Sequence, residues 1–290
     1  MKLRSSAIGF IAACLAIVVI PQQVFARQPI PLNQPNGLIF DNDGNLYVAN
    51  AGSNQILVYD AKLVQRASIS AGLDFPVRLA FDPFGDLYVA NFKNDSITVY
   101  DANLRQIVGK TIAQHLHSPL GVAVDAYGDV FAANNGSNTI AVFNVDGNYI
   151  WGLHQDANGR QFYAPGALAI GGTELFVGTG PTSGHDYVTA YNVGEFLMLR
   201  PRQFTTISNQ MSGPTGIAFD RRGNVYVSDF YSSTAIKYDP AGQVLLTITN
   251  GIAQPEGIAV DAHGNIYVSS QFANTITVYD SSGNLIHTIH

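Results

Sequence analysis

Side chains able to hold a metal, carry a proton or attack a carbon are few in this chain. His115 and His117 form an H-x-H pair in HLHSPLG, and His185 in SGHDY is the candidate for a third imidazole. Three histidines with one open position would activate a zinc-bound water. An H-x-H pair on an irregular loop more often serves as a polar connector. Asp41-Asn42-Asp43-Gly44-Asn45 imitates the start of a calcium loop, but the aspartate spacing is short and its twelfth position is Gly52 rather than Glu. G-x-S-x-G, H-E-x-x-H and a phosphate-cradling glycine loop are absent.

Residues 1–26 have a different character. Lys2 and Arg4 precede an apolar run from Ala7 to Ile20, then Pro21 and a Val24-Phe25-Ala26 end. This is the layout of a signal peptide, and the run is shorter than the roughly 20 residues a membrane span needs. A lipobox-like Ile11-Ala12-Ala13-Cys14 is the alternative, but the apolar run continues past Cys14. Cleavage near Arg27 would release a soluble, monomeric, extracytoplasmic protein without cysteine, hence without disulfide, thiolate or Cys-ligated zinc. Losing Lys2 and Arg4 takes the basic residues from 15 to 13 against 21 acidic ones, a net charge of −8. Charged residues make up only 12% of the chain and form no basic patch, which argues against a nucleic-acid partner. Asn94-Asp95-Ser96 and Asn135-Gly136-Ser137 are N-glycosylation sequons, meaningful only in a eukaryotic secretory pathway.

The elements that must position any site are set by a repeat. PNGLIFD, PVRLAFD, PLGVAVD, PGALAIG, PTGIAFD and PEGIAVD begin at Pro35, Pro76, Pro119, Pro165, Pro214 and Pro255, at spacings of 41, 43, 46, 49 and 41 residues. Helical i, i+3, i+4, i+7 patterning is missing, so the repeats are not helical. Each reads as four short strands; in the last copy these are the runs 257–260, 265–269, 275–279 and 285–289. An Asp-x-x-Gly turn joins the first two strands at Asp41, Asp82, Asp125, Asp220 and Asp261, because Asp bonds its own downstream backbone and Gly takes a positive φ. The first two strands are apolar on both faces and need cover on both. Six four-stranded sheets arranged radially cover one another, which predicts an all-β, six-bladed β-propeller over residues 27–290. The last copy ends with its fourth strand, so closure by packing of blade six on blade one, without a shared strand, is expected.

The signature P-x-G-[IVL]-A-[FV]-D-x-x-G-[ND]-[LIV]-[YF]-[VA]-[AS]-[ND], followed by N-x-I-x-V-Y-D, resembles the NHL repeat. It spans residues 35–290; copy four lacks the Asp-x-x-Gly turn and is placed by position. Propeller connectivity puts the approach to each first strand and the second-to-third strand loops on one face. The residues expected at the channel mouth are Asn36, Val77, Leu120, Gly166, Thr215 and Glu256, with the second-strand ends Asn50, Asn91, Asn134, Thr179, Asp229 and Ser270. NHL-like propellers resemble metal-dependent lactonases that hold a divalent ion at this mouth, and the resemblance implies Asn36, Asp229 and Glu256 as a lopsided ligand set; the plainer reading makes them solvated loop residues. Peptide-amidating lyases are also similar, and would imply zinc at His115, His117 and His185. The same face carries Phe92, Arg160, Tyr163, His185, Phe230, Tyr231 and Phe272, a recognition-surface composition. The leading expectation is a secreted, non-catalytic scaffold binding a protein, peptide or glycan without a cofactor. The alternative is a hydrolase or lyase of the lactonase type using a divalent Ca, Mg or Zn ion.

Overall fold

Strands that are apolar on both sides dictate stacking. The computed structural model describes residues 28–155, 159–180, 186–192, 203–208 and 210–290; the leader-like segment 1–26 and His185 lie outside them. Six antiparallel sheets stand in a ring. Their first strands, Pro35–Phe40, Pro76–Phe81, Pro119–Val124, Ala167–Gly171, Pro214–Phe219 and Pro255–Val260, touch in succession and close a circle around a central channel. The NHL-like repeat is therefore a blade, and the fold is the six-bladed propeller expected from it. In blade six the first strand starts two residues earlier than the apolar run, and the second is Ile266–Ser270.

Blade two carries the one irregular outer edge among the described residues. Its three regular strands are followed by bridges Tyr100↔Gln106 and Ile97↔Ile112, with a short 3-10 turn at Val108–Lys110 between them. In blade six the matching pairs are Tyr279↔Leu285 and Ile276↔Ile289. The outer segment of blade two thus holds two extra residues, the same two by which its period exceeds 41. Blade four forms a regular sheet from Ala167–Gly171, Glu174–Thr179, Tyr187–Asn192 and Gln203–Ile207. There Gly172, at φ +63°, makes a tight hairpin in place of the Asp-x-x-Gly turn.

The Asp turns form as their chemistry requires. Asp261 Oδ1 accepts the N–H groups of His263 and Asn265, both at 2.8 Å, while Gly264 sits at φ +87° and donates to the Asp261 carbonyl. Asp41 does the same, so the calcium-like motif is a blade turn. The third-to-fourth strand hairpins reuse the device at Asp60, Asp101, Asn144, Asp239 and Asp280.

Neighbouring blades bury each other's faces. Between blades six and one, Tyr267, Ile276 and Val278 pack with Leu38, Val48 and Leu57. No strand is exchanged at this seam, so closure is by packing. The sulfur-free seam relies on the hydrophobic effect, at about 25 cal/mol for each Å² of apolar surface removed from water.

Candidate ligand site at the channel mouth

The mouth is built by a latch repeated around the ring. The Asn of each N-x-I-x-V-Y motif, or its Asp or Ser equivalent, ends the second-to-third strand loop at positive φ: Asn54, Asp95, Asn138, Ser233 and Asn274. Its side chain accepts the N–H of the residue before the next blade's proline: Asn54 from Phe75, Asp95 from Ser118, Asn138 from Ala164, Ser233 from Gln254 and Asn274 from Gln34. Those pre-proline residues also lie at positive φ, from 42° to 54°. Such backbone costs on the order of 1–3 kcal/mol per residue and persists only where the surroundings over-determine it. The latch supplies that hold.

A second clamp fixes the same approach from below. Asn50, Asn91, Asn134, Asp229 and Ser270 each accept a backbone N–H from a residue 17 positions earlier. All five are at most 1% exposed. These second-strand ends are therefore inside the wall, which corrects their expected place at the mouth. The alternation of a strand explains it: the last strand residue points into the blade, and the next residue points out. Phe92, Asn135, Gly180, Phe230 and Gln271, one position further on, line the mouth.

The mouth holds a cavity of about 300 Å³. The expected ring Asn36, Val77, Leu120, Gly166, Thr215 and Glu256 lines it completely. A bulge after each proline in blades two, three and five turns Val77, Leu120 and Thr215 toward the opening. Phe75, Phe92, Phe230 and Tyr231 form its aromatic rim. Phe230 meets Tyr231 at 5.1 Å and Phe272 at 6.3 Å, both edge-on, and Lys93 Nζ lies 4.5 Å from the Phe75 ring centre. Tyr231 and Phe272 are 60% and 62% exposed. Arg160 and Tyr163 are outside the cavity lining: Arg160 stacks on Tyr187 at 4.6 Å, and Tyr163 is half-exposed beside it in sequence.

The floor is a charge pair whose cation sequence reasoning missed. Arg78 stands at the third position of its copy, where Gly37, Gly121, Gly216 and Gly257 stand in four others. Its guanidinium crosses the channel. Nη1 donates to Asn36 Oδ1 and to the Val77 carbonyl; Nη2 donates to the Thr215 carbonyl and to the Glu256 carbonyl. Glu256 Oε2 lies 3.5 Å from Nη2, and the two side chains are 11% and 18% exposed. Burial pushes the Glu256 carboxyl above its ordinary range against the pull of Arg78, and burial likewise lowers the Arg78 guanidinium while Glu256 opposes it. The break in the P-x-G pattern was the available signal.

A divalent ion held by Asn36, Asp229 and Glu256 does not fit this arrangement. Asn36 and Glu256 already embrace a cation, and the Asp229 carboxylate is turned away to accept from Ser212 N at 2.6 Å, Ser212 Oγ at 3.0 Å and Ser232 N at 3.2 Å. His115 stacks on Tyr149 with ring centres 3.9 Å apart, and its partner His117 is held through its backbone by Asn134. Among the described residues, no three His, Cys, Asp or Glu side chains converge as a metal-binding group.

The opposite face has exposed apolar groups too. Phe84, Tyr127 and Val108 are 70% exposed or more, on or near the turns of blades two and three. No helix among the described residues is long and apolar enough to cross a membrane.

Comparison with known proteins agrees with this architecture. A family model described as strictosidine synthase-like, N-terminal, matches residues 241–271. No curated protein matches the sequence. Among solved structures, the nidogen/laminin complex contains a chain with a TM-score of 0.67 and 17% identity, covering 82% of this chain and 90% of that one. Virginiamycin B lyase from Staphylococcus aureus gives 0.62 and 16%, covering 87% and 83%. A gluconolactonase from Xanthomonas campestris gives 0.63 and 17%, covering 83% and 86%. At such identities the likeness is one of fold, and by its repeat, its ring of sheets and these relatives the chain is a six-bladed β-propeller.

Proposed function

We propose that this protein is an exported, monomeric binding propeller that holds a protein segment, a peptide or a glycan at its channel mouth and performs no chemistry on it. The observation carrying this reading is the mouth cavity: an aromatic rim above a floor whose carboxylate and guanidinium are engaged with each other. Rigid aromatic rings give large contact area at low entropic cost. Among the described residues, the ionisable side chains lining the mouth are Arg78, Tyr231 and Glu256, and the Thr215 hydroxyl donates to the Pro255 carbonyl at 2.8 Å rather than to a base. The propeller found in a nidogen/laminin complex supports a protein-type partner, and the layout of residues 1–26 supports export. The likeness to a lyase and a gluconolactonase favours a second reading, a hydrolase or lyase of the lactonase type, for which the resemblance of the repeat to metal-dependent lactonases implies a divalent ion.

Peptide and glycan arrays probed with purified protein test the proposal. Phe92→Ala with Tyr231→Ala should abolish capture; Phe84→Ala with Tyr127→Ala, on the far face, should leave it intact. Loss confined to the far-face variant would reject the mouth as the site. Metal analysis of the same preparation, before and after chelation, separates the readings: a stoichiometric divalent ion would favour the enzyme.

A further inference from the structure

The cation at the centre of the mouth is part of the chain. Five oxygens surround the Arg78 guanidinium: Asn36 Oδ1, a Glu256 carboxylate oxygen, and the carbonyls of Val77, Thr215 and Glu256. They come from blades one, two, five and six, and the set contains no nitrogen or sulfur donor. A carboxylate, an amide oxygen and backbone carbonyls are the ligands a calcium ion takes, six to eight in number with water completing the shell. The arginine satisfies four of these oxygens with the four N–H bonds of its terminal nitrogens and faces the fifth, the Glu256 carboxylate oxygen, as an ion pair at 3.5 Å. A fixed guanidinium suits this task because its planar fork spans several acceptors at once.

We propose that Arg78 is the resident cation of an oxygen-lined site, so that the ring needs no divalent ion to close. When Arg78→Gly empties it, the site accepts a divalent cation of the calcium class. Glycine occupies this position in four other blades, so the backbone tolerates the change. A single carboxylate gives a weak site, with binding expected at about millimolar calcium, the range of sites with little charge. The inference stands whether or not the mouth binds a peptide or glycan, because its readout is stability.

The test is thermal melting of the whole protein in chelator, then in about 10 mM calcium, an excess over that weak binding. The parent should be indifferent to both. Arg78→Gly should melt about 5–15 °C lower in chelator, as breaking a buried charge pair implies, and calcium should restore much of the loss. Adding Glu256→Gln to Arg78→Gly should remove the calcium response. Arg78→Lys, which keeps a positive charge, should fold and ignore calcium. A parent that loses stability on chelation would overturn the proposal. So would an Arg78→Gly protein that calcium leaves unchanged, one that fails to fold with and without calcium, or a calcium-stabilised Arg78→Lys.

Discussion

Gln34 donates its backbone N–H to Asn274 Oδ1 at 2.7 Å across 240 positions of sequence, and this bond joins blade six to blade one. Both residues lie at positive φ, 51° and 54°. Asn274→Ala removes the acceptor and places a residue that resists this conformation. Its cost should be about 1–2 kcal/mol, read as a melting point lower by about 2–8 °C. Asn274→Gly, which keeps the backbone comfortable, should lose less. If the Ala variant melts with the parent in calorimetry, the latch does not contribute to closure.

Gly257 and Gly264 lie seven residues apart and are required for different reasons. A Cβ on Gly257 would sit 2.2 Å from the Asn36 carbonyl of the neighbouring inner strand, backbone that cannot yield. Around Gly264 the nearest atom would be 3.6 Å away, and only its φ of +87° resists substitution. Gly264→Val should therefore cost about 1 kcal/mol or somewhat more. Gly257→Ala should cost more despite its smaller side chain, because it pries blade six from blade one. Urea unfolding of both variants would show the order, and a milder Gly257→Ala would contradict it.

Asp229 shows what the second-strand clamp needs. Asp229→Ala leaves the Ser212 and Ser232 donors without their acceptor in the wall of blade five, at about 2–3 kcal/mol. Asn performs the same task at Asn50, Asn91 and Asn134, so Asp229→Asn should be much milder. Equal losses in the two variants, measured by chemical denaturation, would mean that its charge matters more than its acceptor geometry.

Acid stability should depend on Asp220. Burial pushes its carboxyl up, but donors from Asn224, Arg222 and Tyr226 outweigh this and hold it below the usual range. A lowered folded pKa gives stability that is present above the ordinary Asp value of about 3.9 and is lost as pH falls through the folded value. Asn144 shows that Asn can carry the same turn. At neutral pH, Asp220→Asn should melt below the parent, and the gap should narrow as pH falls below about 4. A gap that stays constant between pH 7 and acid would show that Asp220 makes no such contribution.

A period near 41 residues and the Asp-x-x-Gly turns sufficed to specify the blades, because each turn is closed by bonds spanning two to four residues, such as Asp261 to His263 and Asn265. The mouth ring from Asn36 to Glu256 was legible for the same reason: its members hold one register position in every copy. The two surplus residues of blade two were also visible in its spacing. Arg78 was a visible exception with an invisible purpose. Its partners lie 42, 137 and 178 positions away, brought together only when six sheets close a circle. The same closure decided that Asp229 would face inward and Phe230 outward. It also gave the Asn of N-x-I-x-V-Y a partner in the next blade. Local hydrogen bonds are written in neighbouring residues. Convergence at a channel depends on the angle at which whole sheets pack, and that angle is the joint result of every buried side chain between them.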